Sequence, residues 1–187
     1  MADLTGTAWD RFPIEAMPQD QVSMHFKFYE LTRSEIADRQ GIDNAFENSD
    51  QLMSAVYLCR NILQRVRDEF GSFTPNSVYR GQALERALKS KPSSWRSGSQ
   101  HTKGQACDIE VPGMPTLELA KWVSANLEYD QLICECYNVA KGPNSGWVHI
   151  SLVPPGMGAN RRKELSYIMD PGAGKYIYVN GLRESPA

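Results

Sequence analysis

Between Asp50 and Phe70 the apolar residues Leu52, Val56, Cys59, Leu63, Val66 and Phe70 recur at alternating spacings of four and three. That rhythm puts one apolar stripe along a helix of about five turns and commits the chain to burying it. Ser49 or Asp50 is placed to cap its start, and Gly71 to end it. The stripe is core material. With 187 residues the chain is long enough to form such a core in one domain without cross-links.

Around that helix the pattern changes period several times. Residues 1 to about 22 read as irregular, with Pro13 and Pro18 set against extended periodicity, and Met24 to Tyr29 alternates as a short strand or extended arm. A short helix is expected from Thr32 or Ser34 to Gln40, closed by Gly41. Ser77 to Arg80 reads as a strand leading into a helix over Gln82 to Lys89, and the polar stretch SKPSSWRSGSQHTKG must be a loop. Ala106 to Val111 reads as a strand, Thr116 to Leu127 as a helix, and Gln131 to Tyr137 with Trp147 to Val153 as a hairpin. Tyr176 to Val179 is strand-like and precedes the turn pair Asn180-Gly181. Helices first, then strands with one intervening helix, make the fold class α+β with a small antiparallel sheet and packed helices.

Bulk properties exclude several classes of function. The net charge of -2 gives no electrostatic reason to bind nucleic acid, and no apolar run is long enough to insert in a membrane. The opening MADLTGTAWDRF lacks the basic and apolar regions of a secretory leader, so synthesis and retention in the cytoplasm are expected unless lysis or a virion delivers the protein elsewhere. Cys59, Cys107, Cys134 and Cys136 form no C-x-x-C pair and read as small buried hydrophobes, with Cys134 and Cys136 sharing one strand face.

Two of the three histidines stand in unusual company. His101 lies in the polar loop, where Gly104 permits a tight turn, and Asp108 lies on the strand that follows. His149 sits within the apolar strand Trp147-Val148-His149-Ile150-Ser151, where an unpartnered imidazole is costly. Two imidazoles and a carboxylate are the three protein ligands of a catalytic zinc site, which keeps its fourth position for water. Spacing alone leaves the bland reading of a satisfied core histidine open.

The string Ser99-x-His101-x-x-Gly104-x-Ala106-x-Asp108-Ile109, with the downstream Gly146-Trp147-Val148-His149-Ile150-Ser151, resembles the signature of the zinc D-Ala-D-Ala carboxypeptidases and related peptidoglycan endopeptidases. These share the hedgehog-type DD-peptidase fold and include many phage lysins. The likeness begins near Phe26-Lys27-Phe28-Tyr29-Glu30-Leu31. It takes in Val78-Tyr79-Arg80 and Tyr129-Asp130-Gln131-Leu132-Ile133-Cys134-Glu135, and covers roughly residues 25 to 153.

The resemblance implies one zinc ion on His101, Asp108 and His149, and peptidoglycan stem peptide as substrate. It implies Arg80 as the group that holds a substrate carboxylate or polarised carbonyl, with Ser99 and Trp147 as substrate-side or supporting residues. It divides the chain into an N-terminal arm (1–24), a zinc peptidase domain (25–165) and a C-terminal tail with a hairpin (166–187). Several relatives carry the catalytic acid three residues before the last histidine, where this chain has Gly146. The branch reading Asp-Gln-Leu-Ile-x-Glu offers Glu135 instead, and hairpin pairing would set Glu135 against the Trp147–His149 segment. Asp130 and Glu110 are weaker choices. A non-catalytic zinc module, as a cell-wall binder or a virion component among other virion proteins, is the alternative that Gly146 supports. A cysteine hydrolase using Cys107 or Cys134 is a more distant one.

Overall fold

The computed structural model describes residues 18–170 and 172–184. The expected irregular arm therefore lies, up to residue 17, outside the described residues. The observed elements are α1 (Glu35–Gln40), α2 (Ser49–Leu58), a π-helical turn (Cys59–Leu63), α3 (Gln64–Phe70), α4 (Gln82–Leu88), β1 (Ala106–Ile109), α5 (Thr116–Asn126), β2 (Gln131–Glu135), β3 (Trp147–Ser151), β4 (Lys163–Asp170) and β5 (Lys175–Asn180). Helices and one sheet give the α+β fold read from the periodicities. Backbone contacts group the chain into two units, 1–65 with 77–107 and 66–76 with 108–187. The chain passes from one unit to the other within α3, returns between Asn76 and Ser77, and passes again within β1, between Cys107 and Asp108.

In the first unit the helical stripe behaves as its spacing requires. Leu52, Val56, Cys59 and Leu63 are buried, and Phe26, Leu31, Tyr79 and Leu84 join them in the core. The cap of α2 is Asn48, one position earlier than expected, whose side chain accepts from the Gln51 amide at 3.0 Å. The helical run is continuous to Phe70 but changes to π geometry at Cys59–Leu63, which its apolar spacing does not reveal. Neither residues 24–29, expected as a short strand or extended arm, nor residues 77–80, expected as a strand, form a named strand. Residues 24–29 make only a single bridge, Gln21 to Lys27, before a 3-10 turn at Phe28–Leu31. The 77–80 segment satisfies its backbone elsewhere: the Tyr79 amide donates to the Leu31 carbonyl at 2.9 Å and the Arg80 amide to the His101 carbonyl at 3.2 Å. Pairing in each segment is confined to a single bridge residue, Lys27 and Ser77, so neither extends into a ladder.

The second unit holds the sheet, in strand order β1-β3-β2-β4-β5. The hairpin of β2 and β3 is antiparallel with Ile133 opposite His149 and Glu135 opposite Trp147. The sheet is mixed rather than purely antiparallel, because β4 runs parallel to β2, with Glu135 beside Tyr167. β4 and β5 form an antiparallel hairpin whose turn lies between Asp170 and Lys175, while Asn180-Gly181 follows β5. One sheet face carries Leu132, Cys134, Val148, Ile150 and Ile168, all buried, and the core includes Leu119, Ala120 and Val123 of α5. The opposite face carries His149, Ile133, Glu135, Leu165 and Tyr167 by register.

The Arg161-Arg162-Lys163 run is more than a solvated charge patch. Arg161 grips buried Asp130 through Nε at 2.7 Å and Nη2 at 2.5 Å, and this pairing pushes the guanidinium pKa up. Arg162 stacks over the Tyr129 ring at 4.6 Å. Together they tie the start of β4 to the α5–β2 connection, which accounts for Asp130 as a structural carboxylate.

Candidate metal centre

The loop that carries His101 is held to α2 by its backbone. Ser99 caps a 3-10 turn over Gln100–Lys103, and Gly104 closes it with φ at 69°. A Cβ at Gly104 would lie 2.1 Å from the Gln51 carbonyl oxygen, so only glycine fits against the helix. The Gln51 side chain donates to the Thr102 carbonyl at 3.0 Å and accepts from the Tyr79 hydroxyl at 3.2 Å, fastening the loop further.

His101 is fully buried, and its Nδ1 lies 2.7 Å from the Val78 carbonyl oxygen. A carbonyl only accepts, so Nδ1 carries the proton and Nε2 the lone pair. In β1 and β3, Asp108 Oδ1 and His149 Nδ1 face each other at 2.9 Å. One ligand atom from each of His101, Asp108 and His149 comes within 4.8 Å of the others. Two nitrogens and a carboxylate oxygen at this separation suit a single divalent cation, and a fixed tautomer at His101 adds to the fit. The third histidine, His25, is engaged elsewhere, with Nδ1 2.8 Å from the Gln64 amide nitrogen.

A scan against family models matches residues 24–151 to the peptidase M15 family. The chain belongs to the peptidase M15 family. Searches of curated proteins and of solved structures found no match. Membership brings the fold of the zinc-dependent D-Ala-D-Ala carboxypeptidases and endopeptidases, and the triad is consistent with a zinc metallopeptidase. The matched segment ends at the last residue of β3, so β4 and β5 lie beyond it.

The other residues singled out in this M15 chain fall in distinct places. Glu135 ends β2 on the same sheet face as His149, diagonally across one strand pair. Ser99 accepts from the His101 amide at 3.4 Å and, through its carbonyl, from the Thr102 hydroxyl at 2.7 Å, so its contacts are those of a turn-forming serine. Trp147 is half-buried opposite Glu135. Glu110 is bonded to the Asn76 side chain at 2.6 Å.

Gly146 has a clear physical reason. Its φ is 74°, and a Cβ there would lie 2.0 Å from the Glu135 carbonyl oxygen and 2.7 Å from the Tyr137 nitrogen. Next to it Cys136 takes φ 58°, which ends the alternation of β2. Cys134 is fully buried while Cys136 is half-buried, so the expectation that the two share a face fails at this bend. No side chain, acidic or otherwise, fits at position 146.

Sequence reading missed Glu85. It is fully buried on α4 and receives Arg80 Nε at 3.0 Å, Lys89 Nζ at 2.5 Å and the Ser97 hydroxyl at 2.6 Å. Burial raises its pKa, but the Lys89 and Ser97 hydrogen bonds and the Arg80 charge outweigh that, and the net shift is downward. Glu85 thereby holds the side chain of Arg80, whose backbone holds the His101 carbonyl. The only sequence hint was a glutamate on the inward side of a short helix four residues before a lysine.

Proposed function

We propose that the protein is a zinc metallopeptidase that cleaves peptidoglycan stem peptides, as a D-Ala-D-Ala carboxypeptidase or an endopeptidase. The observation that carries this reading is the His101/Asp108/His149 cluster within the family-matched segment. The donor set of two imidazoles and one carboxylate favours zinc over harder cations that prefer oxygen ligands. A zinc ion held there supplies a Lewis acid and lowers the pKa of water toward about 7.

The chain's own groups divide the remaining work. Glu135 takes the proton of the attacking water and delivers it to the leaving amine. Its register two residues along from the partner of His149 sets it roughly 7–8 Å away by Cα, within reach of a glutamate side chain. Arg80 pairs with the substrate carboxylate or the polarised carbonyl, a task that suits a planar guanidinium. Ser99 keeps the His101 loop in its turn, and Trp147 borders Glu135 on the substrate side. Action on the wall follows lysis or delivery by a virion, in the manner of an endolysin.

The test is mass spectrometry of purified muropeptides incubated with zinc-replete protein. Loss of a terminal D-alanine or scission within the stem is expected. Unchanged muropeptides with stoichiometric zinc bound would leave a non-catalytic zinc module instead.

A further inference from the structure

The sheet face that carries His149 does not stop at the residues shared with the family. Trp147 of β3 stands opposite Glu135 of β2, Glu135 stands beside Tyr167 of β4, and Tyr167 stands opposite Tyr178 of β5. Register partners share a sheet face, so these four side chains form one row across four strands. The row spans three strand spacings, about 14 Å. Tyr167 and Tyr178 stack with ring centroids 4.5 Å apart and planes 32° from parallel, and Tyr176 adds a third ring 5.2 Å from Tyr167 at 31°. Tyr178 is 58% exposed, which is unusual for a large aromatic side chain in a stacked cluster. The three tyrosines lie wholly beyond residue 151, where the family match ends.

We propose that Tyr167, Tyr176 and Tyr178 form a subsite for a sugar ring of the glycan strand, placed beside the stem-peptide site. The proposal rests on the reading of the substrate as peptidoglycan. Charge selects the occupant. The row contains a carboxylate, Glu135, and no cationic side chain. Glu135 stands beside Tyr167, so its carboxylate borders the stacked rings. An anionic group of a stem peptide finds no cation in this row to pair with. A neutral pyranose ring suits it, with an apolar C–H face to lie on the phenol planes and hydroxyls to meet the phenol oxygens and Asn180, which neighbours Tyr178 on the same face of β5. Chemistry at the β3 end of the row would then act on the peptide while its β4–β5 end holds the strand to which that peptide is attached.

The test uses the zinc-loaded full chain and a peptide-free oligomer of N-acetylglucosamine, with binding read from tryptophan fluorescence and confirmed by calorimetry. The wild type should bind saturably. Tyr178→Ala should weaken that binding about tenfold, and Tyr178→Phe, which keeps the ring, by no more than about twofold. Met24→Ala, at an exposed position with no assigned role, should bind as the wild type does. Because Tyr178 is exposed on the edge strand β5, the alanine variant should keep its circular dichroism spectrum and zinc content. Free stem peptide, tested in parallel, should bind Tyr178→Ala and wild type within about twofold of each other. A wild type that ignores the oligosaccharide, or a Tyr178→Ala that binds it undiminished, overturns the subsite. Equal loss of oligosaccharide and stem peptide also overturns it, because the row would then be reading the peptide. Failure of the wild type to cleave peptidoglycan while it still binds the oligosaccharide would count against the peptidase reading alone.

Discussion

Glu135 and Glu85 are two carboxylates with different work, and substitution should separate them. Glu135→Gln should keep stoichiometric zinc and lose about 10²- to 10⁴-fold in kcat, the usual worth of a general base; near-normal turnover would move the base elsewhere. Glu85→Gln should instead raise KM more than it lowers kcat, because Arg80 loses the partner that aims it. It should also cost about 2–3 kcal/mol of stability at neutral pH, by breaking a buried charged network. The sign of the pH dependence follows from the direction of the shift. The folded Glu85 carboxyl lies below its ordinary value of 4.5, so its stabilisation is present above that pH and is lost as pH falls through the lower folded value. Denaturant midpoints of wild type and Glu85→Gln should therefore converge below pH 4.5, and a constant gap down to strong acid would contradict this. The cysteines are a third residue-level case. Burial pushes Cys59 and Cys134 up to about 12, and Cys136 is also raised, chiefly by burial. At neutral pH such thiols are poor nucleophiles. Iodoacetamide treatment of the native protein should leave peptidase activity intact, whereas stoichiometric inactivation would revive a cysteine mechanism.

At the scale of elements, two glycines carry more of the site than any propensity. Gly146→Asp, which puts an acid three residues before His149, should not create a catalyst. The strained φ and the collision with the Glu135 carbonyl should lower stability by about 2–4 kcal/mol in urea melts. A stable and more active variant would show that the β2–β3 register is wrong. The ligand triad was legible through the resemblance of its two strings, around His101–Asp108 and around His149, to a family signature, since spacing alone left a satisfied core histidine open. The α2 stripe was legible because a period of three and four has one structural solution. Glu85 was not legible, since its partners Arg80, Lys89 and Ser97 are brought together by the turn of α4 and the loop after it. The 24–29 and 77–80 segments misled for a related reason. An extended pattern becomes a strand only when pairing continues along it, and in each of these segments it stops at one bridge residue, Lys27 or Ser77. The parallel pairing of β4 with β2 is likewise a long-range choice that no local pattern records.

For the molecule as a whole, the metal is expected to be a folding ligand as well as a catalytic one. His101, Asp108 and His149 are buried and each brings one ligand atom within 4.8 Å of the others, an arrangement that exists only in the folded chain, so a metal bound there binds the native state. Binding to the native state alone raises stability by about 4 kcal/mol at a thousandfold excess over Kd, so the Tm should fall on chelation and recover with zinc. The central claim is that the triad holds a zinc ion on which stem-peptide cleavage depends. Its most direct test is to strip the protein with a chelator, return one equivalent of zinc, and follow muropeptide cleavage together with metal content at each stage. Activity should vanish with the metal and return in proportion to the zinc re-bound, and His149→Ala should neither retain zinc nor be rescued. Cleavage that continues undiminished in metal-free protein would contradict the account.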